Sequence, residues 1–226
     1  MIALARFQVS GYLRSLRILQ PVIVIFLILA LLLSQAPANA RLAAGAFGDV
    51  AAFMFPVWAW TARALLDTQP DEQRALSATA ARHHLTPAFA GLLAAYAVNL
   101  ALGVAVIAVP TAQGLSAGLD AGAVSAGLAL NLLVAAAGTF LGAWTSRAII
   151  PDPGVSLLAL LGGAAAALLL SIGPLSWLSV PMVDWIRAAH DGPDDLIAAF
   201  PGLGLHIALW TAAVGVTYVL IRRTRP

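Results

Sequence analysis

From Thr86 to Leu119 the chain carries no charged side chain, and from Ala121 to Ser146 it again carries none. Runs of this kind match the ~20 apolar residues that a helix needs to cross a hydrocarbon core of ~30 Å. With 61% hydrophobic and only 10% charged residues among 226, a soluble domain of this size could not hide its apolar surface, so the bilayer is the solvent. The fold expected is an all-α polytopic membrane protein, a single transmembrane domain over 1–226. It has six transmembrane helices, an N-terminal amphipathic interfacial helix over 1–19, a polar loop over 67–87, and two short outer helices within 177–204.

The spans are read at Gln20–Ser34, Ala46–Leu66, Ala88–Val109, Asp120–Trp144, Val155–Ile172 and Leu205–Ile221. The first is short and is preceded by Arg6, Arg14 and Arg17, which fall within roughly 80° of one another at helical spacing, with Ser10 among them. That arc predicts a helix lying at the interface with its arginines toward headgroups and water; a disordered basic leader is the rival. Ala38-Asn39-Ala40 has the form of a signal-peptidase site, but the expectation is an uncleaved first span. The second span is the most aromatic, with Pro56 in its middle predicting a kink. Asn99 and Asn131 are the strongly polar side chains at mid-span, and hydrogen bonding between helices is the role predicted for both. The fifth span is built around Gly162-Gly163-Ala164, small enough for close helix approach, so it is expected to bury against protein. Between the last two spans, Pro181–His190 and Pro193–Phe200 read as short amphipathic helices, broken at Asp191-Gly192-Pro193 and stopped by Pro201-Gly202.

Charge orients the chain. All 12 basic residues are arginine, and six spans with both termini inside put Arg6, Arg14, Arg17, Arg63, Arg74, Arg82, Arg147, Arg222, Arg223 and Arg225 on the cytoplasmic side. Only Arg41 and Arg187 then lie outside, as the positive-inside rule requires. Arginine without lysine, together with heavy alanine usage, suggests a GC-rich bacterial genome, and hence a multi-pass protein of the bacterial cytoplasmic (inner) membrane.

Few reactive groups are available. With no cysteine, disulfides, thiolate metal sites and cysteine nucleophiles are excluded. His83 and His84 point about 100° apart on a helix and cannot chelate from one face. His206 in the last span suits an intramembrane serine protease, yet no G-x-S-G string sits at a helix start. Asp49 is the only acidic residue near membrane depth, and it lies at the outer end of its span, whereas ion-coupled carriers place ionisable groups midway. A phosphate-binding G-x-x-x-x-G-K-[ST] loop is impossible without lysine. Any uphill movement must therefore draw its energy from a partner chain.

The stretch Asp67–Pro87, DTQPDEQRALSATAARHHLTP, is the long polar interruption on the inner side. Pro70 near a helix start, Asp71 and Glu72 at its positive end, and Arg82, His83 and His84 at its negative end predict a short helix. A solvated connection is the plain reading of such a loop; a docking stub for another protein is the functional one.

An amphipathic N-terminal helix, six spans, an acidic–arginine stub between spans two and three, and paired outer helices before the last span together resemble the permease of an ATP-binding-cassette (ABC) exporter. The architecture is similar to the type-2 export permease family. Asp71-Glu72-Gln73-Arg74 and the run to Arg82 stand where that family has its coupling helix, with alanine and serine in place of its glycine. The resemblance implies a homodimer (or a heterodimer) bound to separately encoded ATPase subunits that hold ATP and Mg²⁺, with no cofactor in this chain. It implies ATPase contacts at Asp71, Glu72, Arg74 and Arg82. The dimer interface is expected near Gly162 and Gly163, a substrate wall at Phe55, Pro56 and Trp58, and an outer gate at Asp184, Arg187, Asp191, Asp194 and Asp195. Apolar walls favour a drug, lipid or antimicrobial peptide as cargo. A non-transporting assembly or sensory module that docks a partner through the same stub is the alternative.

Overall fold

The computed structural model describes residues 1–69, 73 and 85–224. Among the described residues eight α-helices follow one another: α1 (Ile2–Arg14), α2 (Leu19–Leu32), α3 (Ala40–Leu66), α4 (Thr86–Ser116), α5 (Ala121–Trp144), α6 (Pro153–Ile172), α7 (Met182–Asp191) and α8 (Pro193–Thr224), with a 3₁₀ turn at Ser176–Leu178 before α7. The described residues include no strand. Five helices, α3, α4, α5, α6 and α8, are long and apolar enough to cross a membrane. α1 and α2 meet at a 74° bend, and only if that bent pair counts as one span does the number reach six. α2 alone has 14 residues, so it rises about 21 Å at ~1.5 Å per residue. The bend is made at Leu16, which holds a left-handed φ of 57°.

Several boundaries differ from the sequence expectation, each for a local chemical reason. α3 begins at Ala40 rather than Ala46, because the Asn39 side chain accepts from the Leu42 N–H at 3.0 Å and starts the helix early. Asp120 and Asp152 cap α5 and α6 in the same way, accepting from Ala123 N at 2.6 Å and Val155 N at 2.8 Å. α4 runs through Pro110 to Ser116, beyond the expected end of the third span at Val109. A proline inside a membrane helix frees one carbonyl, and Thr111 Oγ1 donates nearby to the Ile107 carbonyl at 2.7 Å. The turn itself is confined to the residues around Gly118, whose φ of 82° suits glycine.

The larger correction concerns the outer helices. α7 forms as expected, and Gly192, at φ 148°, breaks the chain after it. The second short helix does not exist separately: Pro193 to Thr224 is one continuous helix, with Pro201 inside it. Pro201-Gly202 therefore does not stop the chain, and the last span begins twelve positions earlier than Leu205, since a single missing N–H is too little to end a helix whose remaining ladder is intact.

α3 is the axis of the core. It packs on α5, α4, α7 and α2, and its Phe47, Phe55 and Trp58 are buried. The α3–α5 crossing is close-packed. A Cβ on Gly127 would lie 2.6 Å from the Phe47 ring, one on Gly138 2.7 Å from Trp58 Cβ, and one on Gly142 would fall on the Ala59 carbonyl oxygen. These glycines recur at helical spacing, so one face of α5 admits the Phe47 ring, Trp58 Cβ and the Phe55 and Ala59 carbonyls of α3. The two mid-span asparagines flank this seam. Asn131 Nδ2 donates to the Phe47 carbonyl at 3.3 Å, and Asn99 Nδ2 to the Trp58 carbonyl at 3.1 Å, which ties α5 and α4 to α3. α6 is the contrast. Its outward leucines are open, Leu158 at 70% and Leu169 at 68% exposure, so within one chain it is not buried against protein.

Candidate functional site: the two polar ends of the bundle

At the arginine-rich end, three parts of the chain converge on Asp67, the residue that ends α3 and begins the polar loop. Its carboxylate accepts from the Arg147 N–H at 2.8 Å and lies 3.8 Å from Arg63 Nε; its carbonyl accepts from Arg17 at 3.3 Å. Arg63 also donates to Ser156 Oγ at 2.6 Å and to the Pro153 carbonyl at 3.1 Å, both on the first turn of α6. Ser156 in turn donates to the Thr145 carbonyl at the end of α5. The α1–α2 bend, the end of α3 and the α5–α6 corner are thus joined at the root of the loop. α1 completes the arrangement. Ala5 and Tyr12 bury against Ala90, Ala94, Ala95 and Val98 of α4, and Gln8 Nε2 reaches Gln69 Oε1 at 3.5 Å. A cleft of about 370 Å³ remains between α1 and the loop root, with Arg14, Thr68 and Gln73 on its walls. Burial pushes the Tyr12 hydroxyl from 10.0 up to about 12, partly offset by the charge of Arg17.

Asp67 was not singled out in the sequence, although the i, i+4 spacing of Arg63 and Asp67 on one helix face is a readable signal for an ion pair. The expected ATPase-contacting residues Asp71, Glu72, Arg74 and Arg82, and with them the expected short helix, lie outside the described residues.

At the opposite end, α7 is fastened to the first half of α3. His190 Nε2 stands 2.9 Å from Asp49 Oδ1, and Arg41 Nε donates to the His190 carbonyl at 2.8 Å. Gly45 leaves room for the His190 ring, and Gly48 lets Ala189 approach. Asp49 therefore has a partner that periodicity along α3 could not reveal. Of the expected gate residues, Asp184, Arg187, Asp191 and Asp195 share a shallow cleft of about 460 Å³ between α7 and the start of α8. Arg187 is 3.8 Å from Asp184, and both are well exposed. Asp194 is not on that cleft; it stands exposed in the first turn of α8, where a carboxylate meets the positive end of the helix.

The other expected site residues fall elsewhere. Phe55 and Trp58 point into the chain's own core, at 0% and 2% exposure, and Pro56 is half-buried; an aromatic wall open to a substrate does not form at these side chains within one chain. They sit where α3 packs on Gly138 of α5, whose missing Cβ lets Trp58 Cβ and the Phe55 carbonyl approach. Gly162 has open space around it, and Gly163 meets only Leu141. Among the described residues no group of three or more His, Asp or Glu is placed to hold a metal ion. His206 Nε2 is enclosed without a hydrogen-bond partner among them.

Comparison with protein-family models, with curated proteins and with solved structures finds no match for this chain.

Proposed function

We propose that this chain is the membrane-spanning permease subunit of an ATP-driven exporter of the type-2 ABC kind, paired as a homodimer and driven by separate ATPase subunits that bind ATP and Mg²⁺. The observation that carries the reading is the junction at Asp67. A loop exposed to a partner is mechanically useful only if its root is tied to the elements that must move. Here the root is tied by Arg17 to the α1–α2 bend, by Arg147 to the α5–α6 corner, and by Arg63 to the first turn of α6. In this reading Asp71, Glu72, Arg74 and Arg82 meet the ATPase, and displacement of the loop is passed through Asp67 to α6. The open face of α6 around Gly162 meets the second copy, where small residues allow close approach. Cargo is amphipathic or apolar, since charged groups are confined to the two ends, and it leaves between protomers rather than past Phe55 and Trp58. Asp184, Arg187, Asp191 and Asp195 form the polar rim at the exit.

The test is affinity purification of the tagged chain in mild detergent, with mass spectrometry of what accompanies it. A stoichiometric ATPase that is lost when the charges at Asp71, Glu72 and Arg74 are reversed supports the permease. Recovery of the chain alone in several detergents gives the assignment to a non-transporting assembly or sensory module.

A further inference from the structure

α4 and α8 both pack on α5, but they share no substantial interface with each other. The result is a cleft of about 1000 Å³ with α5 as its floor, lined among others by Phe89, Tyr96, Leu133, Phe140, Val216 and Arg223. Small residues are among its lining: Ala136 on α5 and Ala208, Ala212 and Gly215 on α8. A cavity of this size holds a ligand of drug size or larger, since such sites run ~300–1,000 Å³.

Three features narrow the occupant. The walls are hydrocarbon almost throughout and belong to spanning helices, so what fills the cleft comes from the bilayer. Among the described residues the single charged side chain on the cleft is Arg223, exposed at the arginine-rich end with Arg222 beside it, and no acidic residue among them lines it. A guanidinium there is a fork that binds phosphate oxygens in pairs. The cleft also has the length of one leaflet. From Ala208 to Arg223, α8 rises about 22 Å at ~1.5 Å per residue, which is half of the ~40–45 Å bilayer with its headgroup regions. A helix of a second copy would need a groove as deep as the whole membrane.

We propose that this cleft is a binding site for a resident anionic glycerophospholipid of the arginine-rich leaflet, with its phosphate on Arg223 and an acyl chain lying along α5 between α4 and α8. The positive-inside distribution places that end at the cytoplasmic leaflet, where anionic lipids are concentrated. The lipid closes the gap between two spans that do not pack on each other, so α4 and α8 are held as one wall through a molecule that can be exchanged. The site concerns the chain alone and stands whether or not the chain is a permease.

The experiment reconstitutes the purified full chain in phosphatidylcholine bilayers with a small fraction of a lipid carrying a photoactivatable acyl chain, either phosphatidylglycerol or phosphatidylcholine, and maps the labelled residues by mass spectrometry. Labelling by the phosphatidylglycerol probe is expected to concentrate on Phe89, Tyr96 and Val216. Arg223→Gln should lower it about fivefold, the effect of removing one cation at a lipid surface, and should lower labelling by the phosphatidylcholine probe, whose phosphate is offset by its own choline cation, by less. Ala212→Trp, which fills the cleft, should abolish it; Ala208→Trp, one turn farther from Arg223, serves if the first variant does not fold. Labelling no denser there than on Leu158 and Leu169 of the open α6 face would overturn the proposal, as would indifference to Arg223→Gln. The chain has no cysteine of its own, so single cysteines at Leu93 or Val216 report directly on a second copy. Efficient disulfide cross-linking between copies at these positions would give the cleft to a protein neighbour instead.

Discussion

The side-chain amide of Asn99 donates to the main-chain carbonyl of Trp58 at 3.1 Å and to Thr139 Oγ1 at 2.9 Å, so one fully buried residue on α4 ties α3 and α5 together. Thr139 passes the interaction on by donating to the Ala135 carbonyl at 2.7 Å. Replacing Asn99 with leucine removes both donors at the centre of the bundle. The expected cost is about 1–2 kcal/mol, the range found for polar contacts between membrane helices. Unfolding in mixed micelles, followed by helical circular dichroism, measures it; wild-type stability would show that the amide contributes nothing to the crossing.

Glycines in α5 and α6 should respond oppositely to substitution. Gly142→Ala places a methyl on the Ala59 carbonyl and is expected to destabilise the protomer by about 1–3 kcal/mol through overpacking. Gly162→Ala has open space to occupy and should leave protomer stability unchanged. Gly162→Leu then isolates the dimer. If α6 is the interface, dimer yield in light scattering falls while the protomer keeps its melting temperature.

Asp67→Ala releases Arg147 and Arg63 together at the loop root. In the proposed permease the ATPase still copurifies, because its contact residues are intact, but stimulation of ATP hydrolysis by cargo is lost. Full stimulation in the variant would remove Asp67 from the path between loop and spans.

The His190–Asp49 pair is half-open to solvent, with side-chain exposures of 49% and 32%. Screening and side-chain entropy limit its worth to ~0.2–1 kcal/mol, as for other exposed pairs. A double-mutant cycle with His190→Ala and Asp49→Ala should return a coupling in that range. A larger value would mean that the pair is drier than its exposure indicates.

Tyr12 links stability to pH at the alkaline end. Its hydroxyl is raised from 10.0 to about 12, so the folded chain prefers the neutral form. The corresponding stability is fully present below pH 10, the unfolded value, and is lost as pH rises through about 12. Absorbance at the phenolate band should show one late tyrosine that disappears in Tyr12→Phe. The same variant should fold at least as stably as the wild type near neutrality, because the enclosed Tyr12 hydroxyl has no hydrogen-bond partner among the described residues.

What the amino-acid order determines by itself here is local. Uncharged runs of membrane length define the helices, Asn39, Asp120 and Asp152 cap three of them, and the mid-span amides of Asn99 and Asn131 already announce contacts between helices, since lipid offers them no partner. Register along a helix, however, says only which face a residue occupies. It does not say which neighbour covers that face. Tertiary structure alone decided that Phe55 and Trp58 turn inward, on the stretch of α3 that packs closely on Gly138 of α5. It likewise decided that Gly142 rather than Gly162 makes the close approach within the chain, and that Asp49 meets His190 across 141 positions of sequence. The prolines divide in the same way. Pro201 looks like a stop when only neighbouring residues are read, yet α8 continues through it, because one lost hydrogen bond weighs little against a ladder that runs from Pro193 to Thr224.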